Sequence, residues 1–168
     1  RKKLQTYAIH GTYHVRFRQL AGETSPPAPG FNAAASDAKA IDIADEVMQA
    51  MGGRQAWDDT RFITWKFFGR RMLIWDKHKG KVRVESGDDI YLVDIFNNTG
   101  KVKMGDKVLE HPDSVAKYVE RGISIWINDS YWLVMPFKLK DSGVTLKYVG
   151  EGKTAAGAAA DILQLTFE

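Results

Sequence analysis

The chain has 168 residues, 44% of them hydrophobic and 27% charged, a formal net charge of +3 and no cysteine. That length suits one core able to fold unaided. The missing thiol excludes disulfides, Cys-ligated zinc, a thiol nucleophile and Cys-linked lipid. Arg1, Lys2, Lys3, Arg16 and Arg18 all come before the first acid, Glu23. Beyond them the chain is near neutral, so no nucleic acid is expected as a partner. No run approaches the ~18 apolar residues of a membrane span. Lys2 and Lys3 resemble the start of an export signal, but no apolar stretch follows them.

Residues 5–19 alternate Tyr13, Val15 and Phe17 with His14, Arg16 and Arg18, a weak strand pattern. Residues 22–36 (GETSPPAPGFNAAAS) read as a linker. Residues 1–36 are therefore expected to be an appendage, and 37–168 the domain proper. Ser36 or Asp37 is a fair N-cap. Ile41, Ala44, Val47, Met48 and Met51 then recur at helical spacing until Gly52-Gly53 ends the helix. A short helical turn carrying Trp57 is expected next.

A run of strands follows: 62–68, 71–76, 81–85, 90–96 and 101–104. The second and third form a hairpin across residues 77–80. The fourth, IYLVDIF, is apolar on both faces and is expected at the centre of the sheet. The pattern is an antiparallel meander with one buried face. After His111-Pro112, a helix is expected with Val115, Tyr118, Val119, Ile123, Trp126 and Ile127 on one side. Asp129-Ser130 reads as a new cap. Tyr131, Trp132, Leu133, Met135 and Phe137 form a knot expected to be buried, with Pro136 stopping any helix. Residues 144–149 and 161–167 read as a closing hairpin around a Gly/Ala-rich loop, 150–160. The last strand pattern runs to the final residue, so the sheet is expected to lack strands that would cover its edge.

Few residues carry chemistry. His10 and His14 have a metal-ligand spacing for a helix, but their segment is strand-like, where i and i+4 lie about 13 Å apart. No metal or cofactor is expected. Asp58-Asp59 and Asp88-Asp89 read as turn or cap residues. Asp94 is the one charge inside an apolar strand, and either a cationic partner or a tuned acid would account for it. Gly69-Arg70-Arg71 reads as a solvated basic turn. No nucleophile elbow, P-loop, dinucleotide fingerprint or metalloprotease motif is present. The aromatic residues support two readings, a filled core or the lining of a greasy cavity. The ligand-binding candidates are Trp65, Phe67, Trp75, Tyr91, Phe96, Trp126, Trp132 and Phe137.

Four segments together resemble one family: ADEVMQAMGGRQAWDDTRFITWKF (44–67), WDKHKGKVRVE (75–85), NDSYWLVMPFKLKDSGVTLKYVGEG (128–152) and ADILQLTFE (160–168). The chain from about 40 onward is similar to uncharacterised Bacteroidetes-type envelope proteins with a LolA/LolB-like lipoprotein-carrier fold. The resemblance implies an α+β domain: a curved antiparallel sheet, an open half-barrel, with two or three helices on its concave face and an apolar pocket between. It implies a lipid or lipoprotein acyl chain as ligand and a periplasmic or outer-membrane-associated location. An envelope protein is a further candidate partner. The resemblance also implies an arginine that latches the helical lid, for which Arg61, Arg70 and Arg71 are equal candidates. The function expected is a carrier or sensor of hydrophobic molecules. The rivals are an interaction module with a filled core and a cavity hydrolase or isomerase using Asp94. The carrier reading requires room for a hydrocarbon tail beneath the helices.

Overall fold

The computed structural model describes residues 27–167, so His10, His14 and the strand pattern at 5–19 lie outside the described residues. The described residues are α+β and form two compact units, one of residues 59–134 and one of residues 27–58 with 135–167.

The first of these units is a meander of β1 (Phe62–Phe67), β2 (Arg71–Asp76), β3 (Lys81–Ser86), β4 (Asp89–Asp94), β5 (Thr99–Met104) and β6 (Lys107–Val108), followed by the helix α3 (Pro112–Val134). The strands pair antiparallel in chain order and the sheet does not close, in keeping with an open half-barrel. Alternation fixes which side chains share a face. One row across the sheet is Trp65, Leu73, Val84, Tyr91, Val102, and the next is Ile63, Trp75, Val82, Val93, Gly100. These rows form the buried face, against which α3 packs along β3, β4 and β5. Two glycines permit the approach. A Cβ on Gly122 of α3 would lie 2.9 Å from Val93 and 3.1 Å from Tyr91, and one on Gly100 would lie 2.2 Å from the Leu92 carbonyl oxygen.

The opposite face is not buried, contrary to the doubly apolar reading of the fourth strand. Leu92, Ile74 and Phe62 are exposed there, among Lys81, Arg83 and Lys101. β4 is interior to the sheet order, but only one of its faces is covered.

The helix α3 runs unbroken through Asp129-Ser130, so this pair is not a cap; both side chains are buried in mid-helix. Beyond it, Tyr131, Trp132, Leu133 and Met135 are exposed rather than knotted in a core. The reason is helical phase. Val119, Gly122, Asp129, Ser130 and Val134 take the buried stripe, which turns the bulky neighbours outward, Ile127 included.

In the other unit, α1 (Ala38–Ala50) presents Ala40, Ala44 and Met48 from one stripe. Ala40 and Ala44 share a core cluster with Leu139 and with Val144 and Leu146 of β7 (Val144–Lys153). β7 pairs with β8 (Ala159–Phe167), and both strands run further into the Gly/Ala segment than their apolar pattern suggests. Gly52 and Gly53, at φ 104° and 81°, turn the chain into α2 (Gly53–Asp59) in a conformation costly for other residues. Ser36 and Asp37 do not cap α1 with their side chains. Instead they accept from the backbone N–H groups of Leu146 and Tyr148, and the Asn32 N–H donates to the Val144 carbonyl. The end of the expected linker thus covers one edge of β7. An ion pair joins the buried Lys140 to the partly buried Asp45 of α1.

Candidate functional site

Four of the candidate residues lie on the buried face of the sheet unit: Trp65, Trp75 and Tyr91 from the strands, and Trp126 from α3. Trp75 and Trp126 meet edge to face, ring centroids 5.2 Å apart and planes at 71°. Trp65 stands diagonally across the β1–β2 pair from Trp75, a separation of roughly 7–8 Å for such pairs and within reach of aromatic rings. Phe67, half-buried, extends the same face by parity. Burial pushes the Tyr91 phenol pKa up.

The other three are elsewhere. Phe96 is 65% exposed and lies against Gly80, where a Cβ would fall 2.6 Å from its ring. It covers the β2–β3 turn. Trp132 is 70% exposed on α3. Phe137 belongs to the other unit and stacks on Trp57 at 4.6 Å.

The middle of the buried face is filled. Leu73, Val84, Tyr91 and Val102 are almost wholly covered by protein, which leaves no space for a hydrocarbon tail against them in this conformation. The unmet chemistry sits to one side. The indole Nε1 groups of Trp65 and Trp126 are buried with no hydrogen-bond partner among the described residues. Nearly all buried donors in folded proteins are partnered, so two in one aromatic cluster stand out.

A residue pair that sequence reasoning missed closes this face. Arg71 opens β2, and its guanidinium makes a two-pronged contact with Asp129 of α3: Nε donates to Oδ2 and an Nη donates to Oδ1, both at 2.8 Å. Asp129 is 0% exposed and also accepts from the Asn128 side-chain amide at 2.9 Å. The Arg71 guanidinium lies 5.1 Å from the Phe67 ring centroid. Parity was the available signal. Arg71 is two and four residues before Leu73 and Trp75, so it faces inward with them and is no solvated turn residue. Of the other latch candidates, Arg61 is bidentate to Asp76 within the sheet, each partner favouring the other's charged form, and Arg70 is exposed.

Asp94 lies on the opposite sheet face. It binds the Lys81 ammonium, accepts from the Asn97 amide at 2.7 Å, and takes the backbone N–H groups of Phe96 and Asn97 at 3.0 and 3.1 Å. Lys81 first, then Asn97, hold its carboxyl far below the usual carboxylate range. That is the reverse of a general acid tuned for neutral pH, so the geometry favours a turn-fixing carboxylate over catalysis. A depressed pKa stabilises the fold fully above the unfolded value of about 3.9, and the gain is lost as pH falls through the folded value. Asp94→Asn is therefore expected to lower the urea midpoint at pH 7, with the gap from the parent narrowing below about pH 4. An unchanged gap at low pH would contradict this role.

No family model, curated protein or solved structure matches the chain. Among the described residues, no helix is long and apolar enough to cross a membrane, and no three His, Asp or Glu side chains group as metal ligands do.

Proposed function

We propose that the protein is a carrier or sensor of hydrophobic molecules, acting in the periplasm or at the outer membrane, and that this structure is its closed form. The observation that carries the reading is an aromatic cluster in which Trp65 and Trp75 of the sheet meet Trp126 of α3, a helix fastened to the sheet by one fork, Arg71–Asp129. The location rests on the family resemblance alone. In this mechanism α3 is the lid, the close contact at Gly122 is the pivot and Arg71 is the latch. An acyl chain displaces the lid and lies between Trp65 and Trp75 of the sheet and Trp126 of the lid. Each buried methylene contributes ~0.8 kcal/mol, so eight supply about 6 kcal/mol. A long chain therefore gains more from the aromatic face than a short one, and the gain grows with chain length.

Native mass spectrometry of the protein after exposure to a lipid extract tests this. The parent is expected to retain acyl-chain masses, and Trp132→Asp, on the exposed side of α3, to retain them equally. Loss of retention in Trp132→Asp would place binding outside the latched face. No retention by the parent would favour the second reading, a protein-interaction module. The filled centre of the sheet and the exposed Phe62, Ile74 and Leu92 around a shallow groove of about 380 Å³ fit that reading.

A further inference from the structure

The outer face of the sheet, turned away from α3, carries an apolar groove set among cations. A sheet face left to solvent is ordinarily polar, yet Phe62 is 62% exposed, Leu92 42% and Ile74 39%. With Arg83 and Lys101 they border the shallow groove of about 380 Å³. Strand register sets Ile74, Arg83, Leu92 and Lys101 side by side in one row, apolar and cationic in turn. The rows on either side hold carboxylates, and each is already matched: Asp76 to Arg61, Asp94 to Lys81 and Glu85 to Arg83. Glu85 takes only the Nε of Arg83, which leaves the Nη groups to donate. Lys101 is exposed and has no ion-pair partner among the described residues; the same holds for Lys66, one row away on β1. What would complement this face is negative charge spaced between apolar groups.

We infer that the groove docks an acidic amphipathic helix of a partner protein, laid across the strands. Neighbouring strands lie about 4.8 Å apart, close to the roughly 5.4 Å pitch of an α-helix. Successive turns of such a helix meet Ile74, Arg83, Leu92 and Lys101 in order. Leucine-type side chains cover the apolar pair and carboxylates reach the cationic pair. A flat anionic membrane would also press its charges against Asp76, Glu85 and Asp94, whereas a helix sets carboxylates at the cations alone. One row of side chains makes a small interface, so the complex is weak, transient and salt-sensitive. The groove and the aromatic cluster lie on opposite faces of the sheet, so docking here is independent of what α3 covers.

NMR titration of the full-length ¹⁵N-labelled chain tests this with synthetic helices of about 16 residues. One carries Leu and Glu on successive turns of one face; its counterparts carry Gln or Lys in place of Glu. Phosphatidylglycerol vesicles form a further arm. The Glu helix is expected to bind about tenfold more tightly than the Gln helix, to shift the Leu92 and Lys101 amides, and to weaken as salt is added. The Lys helix is expected not to bind. Lys101→Glu is expected to lose about tenfold in affinity for the Glu helix. Lys117→Glu, the same change of net charge on the exposed side of α3, is expected to lose little. Equal affinity for the Glu and Gln helices, equal loss in the two variants, or no binding of any helix would each overturn the inference. Vesicle binding that Lys101→Glu abolishes, with no helix bound, would assign the face to an anionic lipid surface and overturn it too. None of these failures touches the carrier reading, which acyl-chain retention by Lys101→Glu, expected to equal the parent's, tests separately.

Discussion

Replacing Arg71 by alanine is expected to destabilise the sheet unit by about 3 kcal/mol, a large part of the 5–15 kcal/mol typical of a folded domain. The asymmetry of the pair sets the size. Asp129 is wholly buried, while the Arg71 side chain retains 30% exposure. Removing the arginine strands a carboxylate that water cannot reach, with only the Asn128 amide still donating to it. Removing the carboxylate leaves a guanidinium that can still hydrate, so Asp129→Asn is expected to lose less, about 1–2 kcal/mol. Joint replacement, Arg71→Met with Asp129→Leu, is expected to recover most of the loss, because both desolvation penalties vanish together. Urea unfolding of the four proteins measures this. A shift below about 1 kcal/mol for Arg71→Ala would mean that the pair behaves as an exposed bridge. The same variant bears on function. A lid without its latch is expected to take up acyl ligands faster than the parent while being less stable.

Gly100→Ala is expected to cost about 3 kcal/mol, the upper end for overpacking a core. Its backbone needs no unusual conformation, so the effect is one of contact alone. The added methyl would sit 2.2 Å from the Leu92 carbonyl oxygen and 3.1 Å from Val119 of α3. The first obstacle is backbone within the β4–β5 pairing, which cannot move without breaking the ladder. Gly122→Ala is the informative contrast. Its closest neighbour at 2.9 Å is a methyl of Val93, a side chain that can give way. A loss of about 1 kcal/mol is expected there. Thermal and urea midpoints for both variants check the ranking, and a Gly100→Ala protein as stable as the parent would contradict the strand register described.

The meander was legible because its signals are local. Alternation at Lys81–Ser86, paired turns and Gly80 place five strands to within a residue or two. The two-residue β6 was not, since Lys107 and Val108 carry no period. The single long helix was misread as two pieces for a specific reason. Asp129 is a common cap residue, and an ionised side chain in mid-stripe argues against a buried helix face. Only Arg71, far away in sequence, makes it tolerable. The same long-range pairing hid the Arg71–Asp129 fork. The expected burial of Trp132 and Leu133 failed on helical phase: once Asp129 and Ser130 take the inner stripe, those two turn outward. Of the candidate site, the residues on strands with clear alternation (Trp65, Trp75 and Tyr91) fell together, because parity fixes their face. Phe96 follows the end of β4, where alternation no longer constrains direction. No sequence pattern distinguishes an indole whose N–H is partnered from one whose N–H is not.

Tryptophan quenching by a long-chain methyl ester brominated along its tail probes the binding face most directly, because bromine quenches only the indoles it approaches. Emission is expected to fall on titration in the parent and equally in Trp132→Phe, and to be largely insensitive to the quencher once Trp65, Trp75 and Trp126 are all replaced by phenylalanine. Quenching that disappears with Trp132 and survives the triple replacement would put the ligand on the solvent side of α3 and contradict the account.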